Sequence, residues 1–310
     1  TEQDWSQYKD RIDLIVGGPP CQGFSVSGKR QKGLRLESTE LIVEFMKVVE
    51  IIKPRYFLME NVVGFKSGRM WSGRHALDYV IEESARLGYQ TDHTILQAAD
   101  FGVPSIRSRV FVIGSINGEK KVCLNMEPTH SEHAQEGTRR RISCLSAISD
   151  LPQIEAREGI DGKQAYTMQP LNEYQELMRG SSQFVYNHEA MKHTNRLIER
   201  FKVIEQGKSS FQTFDGKSQV TIYKSNNQRL VSDEPSKCIT ANFQSNYIHP
   251  ILHRNLTSRE AARLMSFPDL FIFKGKRTLP SSGVLRKTGR EDQDHLSQYN
   301  QIGNAVPPLL

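Results

Sequence analysis

The chain has 310 residues, of which 37% are hydrophobic and 25% charged, with a formal net charge of +6 and a mean hydropathy of −0.53. That is the composition of a soluble globular protein, long enough for one large domain or two moderate ones. No apolar run approaches the roughly 20 residues of a membrane span, which excludes a helical membrane protein.

The four cysteines, Cys21, Cys123, Cys144 and Cys238, are scattered and form no C-x-x-C pair. This spacing argues against a zinc site or a disulfide framework and for a reducing compartment. No signal peptide opens the sequence, and a cytoplasmic location is expected. The excess of Lys and Arg leans toward an anionic partner, nucleic acid first.

In chain order, Ile12-Asp-Leu-Ile-Val16 is short, β-branched and apolar, and predicts a buried parallel strand. Gly17 and Gly18 end it, and Pro19 and Pro20 stiffen the chain ahead of Cys21. The thiol is thus set at the carboxyl end of a strand, where open α/β sheets bind their ligands. A lone cysteine is more often buried and inert, but two prolines against a strand-end thiol favour a nucleophile. A helix is predicted to about Lys53, capped by Ser38 or Thr39, with Ile42, Phe45, Met46, Val49 and Ile52 on one face and Pro54 as its stop. Arg55–Glu60 reads as a second strand, 73–87 as a helix stopped by Gly88, and Gln90–Gln97 and Arg109–Ser115 as two further strands. The alternation predicts half of a doubly wound α/β sheet with an antiparallel edge or hairpin.

From about residue 117 the periodicity weakens, and an irregular second domain is expected, with a cationic cluster at Arg139-Arg140-Arg141. Thr257-Ser-Arg-Glu260 is a capping box that opens a helix ending before Pro268. Lys274–Gln298 reads as a surface loop, and Pro307 and Pro308 as the first turn of a final helix. His249 and His253 have helical metal-ligand spacing, but no carboxylate pattern accompanies them, and no metal is expected.

Five segments carry a resemblance. Gly18-Pro-Pro-Cys-Gln-Gly-Phe-Ser25, Glu60-Asn-Val62, the Arg107-x-Arg109 pair, Leu256-Thr-x-Arg-Glu-Ala-Ala-Arg-Leu264 with Phe267-Pro-Asp269, and Gln301-Ile-Gly-Asn-Ala-Val-Pro-Pro308 resemble the ordered motifs of the DNA cytosine-5 methyltransferases. The resemblance spans 13–116 and 238–310, and is loose over 117–237. It implies a partial Rossmann-like α/β sheet of the S-adenosylmethionine-dependent methyltransferase type, with a smaller irregular target-recognition domain. The implied division is a catalytic lobe at 1–116, a target-recognition lobe at 117–255, and a return to the catalytic lobe at 256–310.

The chemistry suits the residues. C5 of cytosine is a poor nucleophile and is activated by addition at C6, for which a thiolate that can leave again is apt; the resemblance gives that role to Cys21. It places Glu60 at N3 of the ring as acid, Arg109 on the O2 oxygen, and Arg107 beside it as a support or a DNA-backbone contact. Arg107 and Arg109 alternate, so an extended segment would turn both to one face. The target lies inside double-stranded DNA, so the base must be flipped out. The loop 25–38 is the natural closing element, with Ser25, Lys29, Arg30 and Lys32 on the DNA together with Arg139 and Arg140. Two positions depart from the family: Ser105, where Gln is frequent, and Leu36-Glu-Ser-Thr39, where an Asp and Arg pair is usual.

The methyl donor implied is S-adenosylmethionine. The family's glycine-rich Phe-x-Gly-x-Gly turn and the acidic residue after the next strand occur nowhere in the sequence. Only Pro19, Leu41, Asn304 and Val306 carry over as donor contacts. The expectation is a fragment, or a partner chain or N-terminal segment that holds the rest of the donor site. A bacterial or phage restriction-modification enzyme is expected; a DNA-binding module without catalysis and a tRNA cytosine-5 methyltransferase are the alternatives.

Overall fold

The structure is a computed structural model that describes residues 4–20, 34–214, 226–241, 243–279, 287–289 and 296–310. It divides into two compact units. The first comprises Thr1–Gln97 with Ser108–Glu127, and the second Ala98–Arg107 with Pro128–Leu310.

The first unit is built on β1 (Leu14–Gly17), α1 (Leu34–Ile52), β2 (Tyr56–Val62), α2 (Ala76–Arg86), β3 (Tyr89–Gln97) and, after a short β4 (Ser105–Ile106) that belongs to the second unit, β5 (Ser108–Ile116). The sheet order is β1-β2-β5-β3. β1 runs parallel to β2, whereas β5 lies antiparallel between β2 and β3. This is the expected α/β alternation closed by a hairpin.

Both helices contribute to one core. Ile42, Met46 and Val49 of α1, and Leu77 and Val80 of α2, pack with Phe57, Met59, Val110 and Val112. The i, i+4, i+7 spacing of the α1 residues turns all three to the same side, and each such burial is worth about 1.5–3 kcal/mol. α1 begins at Leu34, so Ser38 and Thr39 are interior residues and not its cap. Lys53 takes a left-handed φ of 53° just before Pro54, which ends the helix. β1 is less buried than its composition suggests: it is the outer strand of the sheet, and Leu14 and Val16 are 49% and 64% exposed.

In the second unit the strands are short, and regular structure resides mostly in helices: α3 (Cys144–Ile148), α4 (Glu173–Arg179), α5 (Asn195–Lys202), α6 (Ser210–Thr213), α7 (Ser258–Leu264) and a last helix at Gln298–Asn304. Residues 256–310 share one core with 144–256, because every residue of α7 is buried among Cys144, Ile148, Leu151, Tyr174, Met178 and Tyr299. The capping box is as predicted, with Thr257 and Glu260 each bonding the other's main-chain N–H. The last helix lies ahead of the prolines, capped by Ser297 and Asn300, and 307–310 forms a turn closed by Leu310 N–H on the Pro307 carbonyl.

Charge holds α7 in place. Arg263, fully buried, donates to both oxygens of Asp269 at 2.7 and 2.6 Å and to Asp150 at 3.0 Å. Arg179 reaches the second oxygen of Asp150 at 2.7 Å, and the Tyr166 hydroxyl donates to Asp269. Burial opposes the charge on Arg263, but Asp269 and Asp150 outweigh it and hold its pKa above the ordinary value. Glu260 is likewise disfavoured by burial, yet the two-pronged contact from Arg254 at 2.8 and 2.7 Å holds it below the ordinary carboxylate range. Among the described residues no helix is long and apolar enough to cross a membrane.

Removing one member of a buried pair leaves an uncompensated charge, which typically costs about 3–5 kcal/mol. Asp150→Ala is therefore expected to lower the urea unfolding midpoint of the second unit by that equivalent, and far more than Glu173→Ala, whose ion pair with Arg139 is exposed. A second outcome concerns acid. Burial pushes His249 down to about 3 and His193 down to about 4 from an ordinary 6.5. Between pH 6.5 and about 4 the unfolded chain binds protons that the folded chain refuses, so stability falls as pH falls, by up to roughly 1.4 kcal/mol per pH unit for each histidine. Urea titrations from pH 7 to pH 4 should show that decline, and His193→Phe should make it shallower.

Candidate active site

β1 and β2 end side by side, since Gly17 pairs with Met59. The next residues of each strand are therefore neighbours: a Cβ placed on Gly18 would lie 3.2 Å from Glu60 Oε2. Asn61 follows, 3% exposed, and its amide donates to the Pro19 carbonyl at 3.2 Å while its oxygen accepts from Val62 N–H at 2.9 Å. The side chain of β2 thus fixes the segment that runs into Cys21. Asn61 received no role from the sequence beyond its place in a motif, and that place was the one signal available.

Across the sheet, β5 sets Arg109 opposite Val62 and Phe111 opposite Glu60. Arg109 lies one diagonal step from Glu60, within reach of a long side chain, and its Nε meets Glu60 Oε1 at 2.8 Å. Both side chains are mostly buried, at 12% and 17% exposure. Arg109 also donates to the Ser108 carbonyl at 2.8 Å. A carboxylate and a guanidinium are thereby set together on one sheet, beside the carboxyl end of β1. Such a pair can offer a hydrogen-bond donor and a proton-carrying group to the polar edge of one ring.

Arg107 departs from expectation. It falls between β4 and β5 and belongs to the other unit, so the strand alternation that would turn it to the side of Arg109 does not apply. Its side chain is 1% exposed and donates to the carbonyls of Ile239, Gly303 and Ala305 at 2.7, 3.0 and 2.8 Å. The guanidinium thus ties buried main-chain oxygens of 239 and 303–305 together.

The remaining candidates are placed as follows. Cys21, Ser25, Lys29, Arg30 and Lys32 lie outside the described residues. Pro19 is buried and Leu41 is 44% exposed, both in the first unit. Asn304 is exposed and Val306 is 37% exposed, both in the second. Arg139 and Arg140 form a short exposed strand in parallel pairing with His130–Ser131; Arg139 pairs with Glu173 at 2.8 Å. Arg141 is turned inward to Asp100 at 2.6 Å. All three line a cavity of about 800 Å³ within the second unit, with Tyr174 and Leu177 on its wall. His249 is buried, and its Nδ1 accepts from the N–H groups of Ile251 and Leu252 at 3.1 and 3.0 Å.

Comparison with known proteins places the chain in a family. The model of the C-5 cytosine-specific DNA methylases matches residues 1–310. The chain is 44% identical to the type II methyltransferase M.DdeI of Desulfomicrobium norvegicum, over 96% of its own length and 70% of that protein. It is 32% identical to the type II methyltransferase M1.HphI of Haemophilus parahaemolyticus, over 97% of its own length and 66% of that protein. In fold it is similar to a prophage-encoded E. coli protein described as a DNA modification methyltransferase, with a TM-score of 0.68 and 22% identity, covering 100% of this chain and 82% of that one. The chain belongs to the C-5 cytosine-specific DNA methylases, the DNA (cytosine-5) methyltransferases of restriction-modification type.

Proposed function

We propose that the protein methylates C5 of a cytosine flipped out of double-stranded DNA, through a covalent bond between Cys21 and C6. The observation that carries this reading is the Glu60–Arg109 pair at 2.8 Å, set beside Gly18 at the end of the strand that leads to Cys21. In this mechanism the Cys21 thiolate adds to C6, and the electron pair of the C5–C6 double bond becomes available at C5. Glu60, at N3, holds or delivers the proton that neutralises charge growing on the ring. Arg109 donates to O2 and keeps the ring in register with the thiol. C5 then takes the methyl group, a base removes the C5 proton, and the thiolate leaves with restoration of the double bond. Asn61, through the Pro19 carbonyl, positions the segment that carries the nucleophile.

The family implies S-adenosylmethionine as methyl donor, and when bound that molecule supplies the methyl group. The resemblance assigns it Pro19, Leu41, Asn304 and Val306; within the second unit Val306 offers exposed apolar contact and Asn304 an exposed amide. Lys29, Arg30 and Lys32 with Ser25, and Arg139 and Arg140, are assigned to the DNA backbone. Residues 117–255 are assigned to reading the target sequence.

The test is a trapping assay on the full-length gene product with duplex DNA carrying 5-fluorocytosine. Fluorine cannot leave C5 as a proton does, so a covalent complex should accumulate in the presence of donor. Cys21→Ser should form none; a Cys21→Ser protein that still traps the DNA would sink the assignment. Glu60→Gln is expected to slow turnover on unmodified DNA by roughly 10²–10⁴-fold, the usual worth of a placed acid or base. Parallel assays with tRNA decide the substrate class, since methylation of tRNA with none of DNA would refute the DNA reading.

A further inference from the structure

Arg107 is among the largest side chains buried without contact to water, and the mechanism above gives it nothing to do. Its placement follows from pairing. β4 runs parallel to Ser236–Lys237, with Ile106 opposite Lys237, so Arg107 faces Cys238 and Ile239. One end of its guanidinium meets the Ile239 carbonyl at 2.7 Å and Cys238 Sγ at 3.5 Å. The other meets Gly303 and Ala305, the two residues that flank Asn304, at 3.0 and 2.8 Å.

Those carbonyls stand at the end of the Gln298–Asn304 helix, where main-chain acceptors lose their helical partners and a cation is favoured by the helix dipole. The seam they close is tight. A Cβ on Gly303 would lie 2.2 Å from the carbonyl carbon of Thr240 and 2.3 Å from Ala241 N, so only a glycine lets the two main chains touch. Asn300 adds a tie of 3.0 Å to the Ala241 carbonyl. Asn304 is thereby held on both sides by one buried planar fork while its own residue stays exposed. Lysine, with a single point of charge, cannot reproduce a fork that spans carbonyls of two segments.

We propose that Arg107 is a positioning residue for the methyl donor: it fixes the main chain on either side of Asn304 and so presents Asn304 and Val306 to the donor in one arrangement. This rests on the assignment of Asn304 and Val306 as donor contacts. Its effect on the donor is transmitted through the carbonyls of Gly303 and Ala305.

The test is a double-mutant cycle on the full-length gene product, with donor affinity measured by titration with S-adenosylhomocysteine, DNA affinity measured in parallel, and urea midpoints recorded for every variant. Arg107→Lys is expected to weaken S-adenosylhomocysteine binding fivefold or more while leaving DNA affinity within twofold. In an Asn304→Ala background the same substitution should weaken it less than twofold, because the residue it positions is gone. Equal weakening in both backgrounds, or a lowered urea midpoint with unchanged affinity, would show a merely structural arginine and overturn the proposal. If Asn304→Ala by itself leaves the affinity unchanged, the donor assignment falls and the proposal with it, an outcome separable from the previous one.

Discussion

The second unit depends on charges that have no water to turn to. Asp150, Asp269 and Arg263 are all fully buried, and each is stable there only because the others complete its hydrogen bonds. Arg263 ties α7 to Asp150, at the end of α3, and to Asp269, which follows the Phe-Pro turn. Arg254 and Glu260 do the same at the helix's other end. A network of this kind has one good geometry and many bad ones, so it specifies the packing of α7 more sharply than apolar contact alone would. Residues that look from the sequence like surface charges on an amphipathic helix are, in the fold, its fastening.

Main-chain oxygens are satisfied in the same manner where segments distant in sequence meet. Arg107 joins 238–239 to 303–305, and Arg259 donates to the carbonyls of Tyr186, Pro268 and Phe271. Irregular segments cannot pair their own main chain as strands and helices do, so buried guanidiniums with several fixed donors take over that work. In the first unit the long strands β2, β3 and β5 pair their main chains directly, and Glu60 and Arg109 meet across the ladder.

Much of this was legible beforehand for a physical reason. The first unit consists of long elements with local periodicity, so Ile42, Met46 and Val49 announced one face of α1, and β2, β3 and β5 fell within a residue or two of their expected bounds. The capping box at Thr257 was equally readable because both of its partners lie within four residues. The beginning of α1, the exposure of β1 and the helix ahead of Pro307 were not. The exposure of β1 follows from its place at the edge of the sheet, and the last helix rests on a cap formed by Ser297 and Asn300 at the end of a stretch without periodicity.

By itself the sequence determined the family and the α/β alternation, because short ordered motifs and local periods survive in one dimension. Only the tertiary structure decided which partner each of these motif side chains meets. Two arginines a single residue apart go to different ends: Arg109 to a carboxylate on the neighbouring strand, Arg107 to carbonyls more than a hundred positions away in sequence. Side-chain type is the same in both. Burial and the partner brought near by folding are what separate them.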